Sequence, residues 1–271
     1  MLHLRHIRQR GRRIADLPQG FHAKIARAKE HLDALKVAIA PYVGDGEAYS
    51  VSKEVDREKG EFVFRLHISH PAPLIEWSTV IGDCFHNTRT ALDHLYWALA
   101  VKRNPGGNIK NKSSVNFPII KDATTFNGRK FKIENLVGKE ALAMLEGIQP
   151  FNDARGWNKN PLMFLHDFNN IDKHQLLLPS VSILNKGRFS HEVVDGKEVK
   201  FNAEISMMEI DDGAVIARCL ATPPEDIVDL NYRVAFDVVF RGQPGPLLVV
   251  PSLERVIEVV EGVGADFAPL L

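Results

Sequence analysis

From Leu74 to Arg103 the chain reads LIEWSTVIGDCFHNTRTALDHLYWALAVKR, with no proline inside it. Pro71 and Pro73 stand just before this stretch, and the breaker "NPGG", Asn104 to Gly107, follows it. Those signals predict one helix of about 30 residues. A helix of that length needs neighbours on more than one side, as in a bundle. It also holds "HNTRTALDH", His86 to His94, where two histidines, an arginine, an asparagine and an aspartate crowd together.

The surrounding pattern supplies those neighbours. "PQGFHAKIARAKEHLDALKVAIA", residues 18 to 40, reads as an amphipathic helix opened by Pro18 and ended by Pro41. "EAYSVSKEVD" and "EFVFRLHISH" flank "REKG"; Phe62, Phe64, Leu66 and Ile68 fall at strand period, which predicts a β-hairpin. After the long helix a loop is expected over about 104 to 130. A short helix follows in "IENLVGKEALAMLEGI", and another in "PLMFLHDFNNIDKHQLL", with Asn160 as N-cap and Pro161 in its first turn.

Beyond Pro179 the texture becomes strand-like. "RFSHEVVDGKEVKFNAEI" has "DG" at a hairpin position, "GAVIARCLA" is nearly continuous apolar, and "RVAFDVVF" alternates. "SLERVIEVVEGVGADF" closes the chain as a helix. The expected class is α+β: a mainly helical region 1–180, then an antiparallel β region 181–271 with a terminal helix. If the early hairpin joins that sheet, the two regions interleave as one domain.

Composition narrows the function classes. Lys and Arg balance Asp and Glu at 34 each, so bulk charge does not point to nucleic acid. The positive charge is nonetheless clustered. Arg5, Arg8, Arg10, Arg12 and Arg13 precede the first acid, and the 102–132 stretch carries Lys102, Arg103, Lys110, Lys112, Lys121, Arg129, Lys130 and Lys132. Such clusters either bind phosphates or form a solvated tail and loop. The absence of a long apolar run argues against a membrane span, and the arginine-rich start lacks a secretory apolar core; residence in the cytoplasm is expected. Cys84 and Cys219 are too few and too separated for a disulfide framework or a structural zinc site. No P-loop, GxGxxG after a strand, GxSxG or kinase signature occurs. No cofactor is expected.

On a helical wheel Cys84, Ala91, Leu92, Leu95 and Leu99 share one side of the long helix, and His86, Arg89, Thr90, Asp93 and His94 share the other. "HDFNNIDKH" repeats the theme. His166, Asn170, Lys173 and His174 share a side, while Asp172 falls among Leu165, Phe168 and Ile171. A carboxylate on an apolar face needs a partner, and Arg89 is the expected one. The histidine pairs lie too far apart along each helix to share a metal. Asp83 and His86 have the nearest ligand spacing and would need His166 or Asn170 to complete a site, so none is expected. Trp77, Tyr96 and Trp97 read as helix packing, whereas Trp157 in "ARGWNKN" reads either as packing or as a pocket mouth.

"RTALDH" puts Arg89 and His94 in an R-x4-H spacing within a helix, and "RLHISH", Arg65 to His70, repeats the spacing in a predicted strand. The helical copy resembles the motif of the HEPN family of metal-independent ribonucleases. That resemblance implies cleavage of an RNA phosphodiester near a homodimer interface, with Arg89 and His94 catalytic and Asp93 and Asn87 orienting them. The chemistry is coherent: histidine transfers protons near neutral pH and arginine neutralises phosphate. More broadly, "HNxRxxLDHL", then "FP", "IQP" and "NNIDKHQLLL" before a β-rich end is similar to a bacterial family of uncharacterised proteins. That similarity implies one design but no activity.

Three expectations stand side by side. One is a ribonuclease that holds RNA on the basic 102–132 stretch. The second is a small-molecule or metal site between the two polar helices, built from His86, His94, His166, Asn170 and His174. The third is a structural polar network in a non-enzymatic protein with a partner-binding surface.

Overall fold

The computed structural model describes residues 17–271 except 45–46, 57, 60, 107–108, 110–111, 113–114, 178, 192–199, 206–210, 223–229 and 243–246. Six α-helices are described: α1 (Gln19–Ile39), α2 (Leu74–Arg103), α3 (Ala123–Val137), α4 (Lys139–Gly147), α5 (Pro161–Asp172) and α6 (Val249–Phe267). Six strands accompany them: β1 (Tyr49–Asp56), β2 (Glu61–Ile68), β3 (Pro179–His191), β4 (Lys200–Ile205), β5 (Val215–Thr222) and β6 (Leu230–Phe240). The fold is α+β, with antiparallel sheets and a C-terminal helix.

The chain divides into two compact units whose segments alternate. One comprises the described residues up to Ala34, Ser78–Leu177 and Val250–Leu271; the other comprises Leu35–Trp77 and Leu178–Val249. The grouping therefore differs from consecutive blocks 1–180 and 181–271: the early hairpin goes with the later strands, and the terminal helix with the other helices.

The β-rich unit has two sheets. β1 and β2 form the expected hairpin, and β2 pairs in turn with β5, which pairs with β4, all antiparallel. β3 pairs with β6 in a separate two-stranded sheet. β3 and β4 thus lie in different sheets, contrary to the hairpin expected across "DG"; Asp195 and Gly196 themselves lie outside the described residues. The strand period at Phe62, Phe64 and Leu66 does what it implied. All three are buried, and with Tyr49, Ile216 and Phe236 they form the core of this unit.

The helical unit is organised around α2. α1 runs antiparallel along it: Gly20 lies against His94, Lys24 reaches Asn87, and Ala28 O accepts from Cys84 Sγ at 3.4 Å. α5 runs antiparallel on another side, with Asp172 against Gly82 and the Phe164 and Phe168 rings 5.6 and 5.3 Å from Phe85. α6 packs on α1 through Gly264, which has no room for a side chain beside Phe21 and Leu17. The apolar side expected for α2 is buried in full: Cys84, Ala91, Leu92, Leu95 and Leu99.

The loop expected to 130 is shorter, because α3 begins at Ala123. Asp122 caps it by accepting from Thr125 N at 2.7 Å, a contact that contributes about 1 kcal/mol. The single helix expected next is divided at Gly138, whose φ of 90° departs from helical geometry. Asn160 caps α5 as expected, accepting from Leu162 N at 2.9 Å, with Pro161 in the first turn.

Candidate functional site

Every candidate residue lies in the helical unit, and the polar helices α2 and α5 are adjacent. Their polar side chains divide into three groups along α2.

The first group is set by Arg89 and Asp93, one turn apart. Their charges meet at 3.1 Å, and the two side chains are only 11% and 27% exposed. Arg89 Nη2 also donates to Phe117 O at 2.7 Å, and Phe117 N donates to Asp93 Oδ1 at 2.8 Å. The pair therefore grips both backbone polar groups of one residue, Phe117, in the irregular segment 115–120. Arg89 Nη1 is buried and not aligned for a hydrogen bond, so it holds Asp93 by charge alone. Burial pushes the Asp93 carboxyl above its ordinary value; Arg89, the Phe117 N–H, Lys173 and His94 oppose that rise. Burial likewise draws Arg89 down, and Asp93 opposes it. Phe117 is 1% exposed and packs edge-on against Tyr96 and Phe267, so the gripped segment is core.

Gln149 completes this grip from the other side. It is buried, accepts from Ile120 N at 2.9 Å, and donates to Pro118 O at 3.1 Å and Leu145 O at 2.9 Å. The "FP" and "IQP" segments of the broader motif therefore touch each other, and "RTALD" touches the first. Gln149 and Phe117 were not singled out as site residues from the sequence; their only signal was membership of those short segments.

The second group borders the same ion pair. His94 lies half-buried beside Asp93, with its ring against Gly20 of α1, where an added Cβ would stand 2.5 Å from Nδ1. His166 of α5 is half-buried, and its Nε2 is 3.0 Å from Asn170 Nδ2. Burial, then the charges of Arg89 and Lys173, hold His166 below its ordinary value, while Asp167 opposes them. Lys173 is exposed at the turn that follows α5, where its charge reaches both Asp93 and His166. His174, in the same turn, is exposed.

The third group corrects an expectation. Asp172 does not partner Arg89, which is engaged by Asp93. It lies instead on Gly82, where only the missing Cβ gives it room. Burial raises its carboxyl, Asp83 raises it further, and His86 opposes the rise. Its neighbour Ile171, expected to be apolar core, is 40% exposed. His86 is exposed, and its carbonyl accepts from Thr90 Oγ1 at 2.8 Å. Among the described residues no group of three His, Cys, Asp or Glu side chains could hold a metal ion.

Asn87 sits apart from Arg89. It is 7% exposed, donates to Asp83 O at 2.8 Å and accepts from Lys24 Nζ at 3.1 Å, so it ties α2 to α1. Lys24 had no sequence signal beyond a helical position. Cys84 is core, with its thiol pushed up to about 12 by burial. Trp157 is 46% exposed in a short turn, Trp157–Lys159, and Lys121 Nζ stands 5.7 Å from its ring centroid.

In comparisons with known proteins, no family model, curated protein or solved structure matches the chain. No helix among the described residues is long and apolar enough to cross a membrane.

Proposed function

We propose that the protein is a metal-independent RNA phosphodiesterase whose proton transfers are made by His94 and His166, with Arg89 and Asp93 as positioning residues. The observation that carries this reading is that two half-buried histidines border one partly buried ion pair, with the exposed Lys173 beside it. Arg89 and Asp93 neutralise each other, which leaves Lys173 as the cation to meet a phosphate, with Asp167 as the remaining carboxylate that acts on His166. His166, held below its ordinary value, is neutral at pH 7 and fit to act as base. In the proposed step His166 Nε2, released from Asn170 Nδ2, takes the proton of a ribose 2′-hydroxyl as its oxygen bonds to phosphorus. The bond from phosphorus to the 5′-oxygen breaks, and His94 gives that oxygen a proton. The products are a 2′,3′-cyclic phosphate and a 5′-hydroxyl.

This reading keeps the histidine of the R-x4-H spacing as a catalyst and gives the arginine a different task from the one the HEPN resemblance implies. The homodimer and the use of the basic 102–132 stretch remain part of the proposal. The test is cleavage of mixed-sequence RNA in EDTA by wild type, His94→Ala and His166→Ala. Each variant should lose about 10²- to 10⁴-fold in rate while staying folded. Cleavage that requires an added divalent metal contradicts the mechanism.

A second reading is favoured by the grip on Phe117. Both members of the Arg89–Asp93 pair are used to hold a buried peptide, and a purely structural network needs nothing more. Folded wild type that leaves every tested RNA intact supports that reading over the first.

A further inference from the structure

Trp157 is the most exposed of the three tryptophans: Trp77 is 2% exposed and Trp97 half-buried, against 46% for Trp157. A planar ligand stacked on this exposed indole would bury apolar surface. The placement of Trp157 is built rather than incidental. Gly156, at φ 100°, turns the chain into Trp157–Lys159, and that turn packs against α5. Upstream, Arg155 is locked to Asp153 by two contacts of 3.0 and 2.9 Å, and Asn160 donates to the same carboxylate at 3.4 Å. The loop is thus pinned on both sides of the indole.

Two lysines stand by the indole, while Arg155 is balanced by Asp153. Lys121 lies over the ring, and Lys159 and Arg155 are exposed on the same short segment. Lys121 also links this place to the histidine group, because its charge acts on Asp167, the residue after His166. We infer that Trp157, with Lys121 above it and Lys159 beside it, is a stacking platform for one base of a single-stranded RNA. A base on the indole buries its exposed face, and Lys121 exchanges a weak contact with the ring for a phosphate. The neighbouring nucleotides then lead past Lys121 toward α5 and His166. The inference rests on the RNA reading above and names the subsite that would hold the strand.

The test uses the full chain and a short oligouridylate with 2′-O-methyl groups, which removes the nucleophile and separates binding from cleavage. Tryptophan fluorescence is quenched when a base stacks on the exposed indole. Trp157→Ala should bind about 10- to 100-fold more weakly, and Trp157→Phe should retain most of the affinity. Lys121→Ala should weaken binding and steepen its dependence on Trp157. If Trp157→Ala binds as tightly as wild type while natural RNA is still cleaved through His94 and His166, the platform is wrong and the phosphodiesterase reading stands. If folded wild type binds no RNA at all, both fail together.

Discussion

Removing the Asp93 carboxylate separates a structural from a chemical purpose for the Arg89–Asp93 pair. In Asp93→Ala the Phe117 N–H loses an acceptor at 2.8 Å, and a guanidinium whose side chain is 11% exposed loses its counter-charge at 3.1 Å. A hydrogen bond to a charged group contributes about 1.5–3 kcal/mol. With 1.4 kcal/mol for each factor of ten, amide exchange at Phe117 should accelerate about 10- to 150-fold. Breaking one side of a buried ion pair costs about 3–5 kcal/mol, and the 27% exposure of Asp93 places this pair near the lower figure. Hydrogen exchange across residues 115–120 measures the local effect, and urea denaturation measures the global one. Asp93→Asn, which can still accept from Phe117 N, should show a smaller change in exchange. The double variant Arg89→Ala/Asp93→Ala should be more stable than the sum of the single losses implies, since neither charge is left buried alone. Unchanged exchange at Phe117, or single effects that simply add, would refute the grip. If the grip holds, lost activity in an Arg89 or Asp93 variant reports a displaced segment. The histidine variants are the ones that report chemistry.

Two further outcomes follow from the same geometry. His166 is held below its ordinary 6.5, so between that value and its folded pKa the unfolded chain binds more protons than the native one. Its contribution is intact above 6.5 and is lost as pH falls below it; urea midpoints taken between about pH 5 and 8 should decline on the acid side, less steeply in His166→Gln. An unchanged slope in that variant contradicts the assignment. For the glycines, Gly82→Ala would drive a methyl group into the Asp172 carboxylate and displace it, so it should be less favourable than the same change at an open helical site, with Asp172→Ala removing the difference. Gly128→Ala, with open space at its Cβ, should instead stabilise by up to about 1 kcal/mol; thermal denaturation of the pair checks the contrast.

Periodicity and punctuation determined most of the secondary structure. The prolines at 71 and 73 and the "NPGG" stop bound α2, Asn160 and Pro161 start α5, and alternation at Phe62, Phe64 and Leu66 defines β2. These signals are legible because they act over a few residues, through φ restriction, capping and the direction of successive side chains. The early start of α3 is weakly marked in the sequence, because its cap, Asp122, lies in a lysine-rich stretch with little apolar period. The apolar side of α2 was equally legible, since burial follows the helical repeat whatever the partner is.

Which polar residue meets which depended on how the helices and the 115–120 segment pack together. Sequence pattern placed Arg89, Asp93, His94 and His166 on polar helix faces, but it paired Arg89 with Asp172. Asp93, one turn along the same helix, holds Arg89, and both are turned to Phe117, twenty-four residues beyond Asp93. Asp172 found its place through a missing Cβ at Gly82, a cue of shape rather than charge. Likewise, β3 and β4 lie next to each other in the chain yet belong to different sheets. For the ion pair and the strand order the physical reason is shared. Local rules act through bonded neighbours and repeat at fixed intervals, whereas a buried polar group takes whichever partner the packed chain brings within hydrogen-bonding distance, at any separation in sequence.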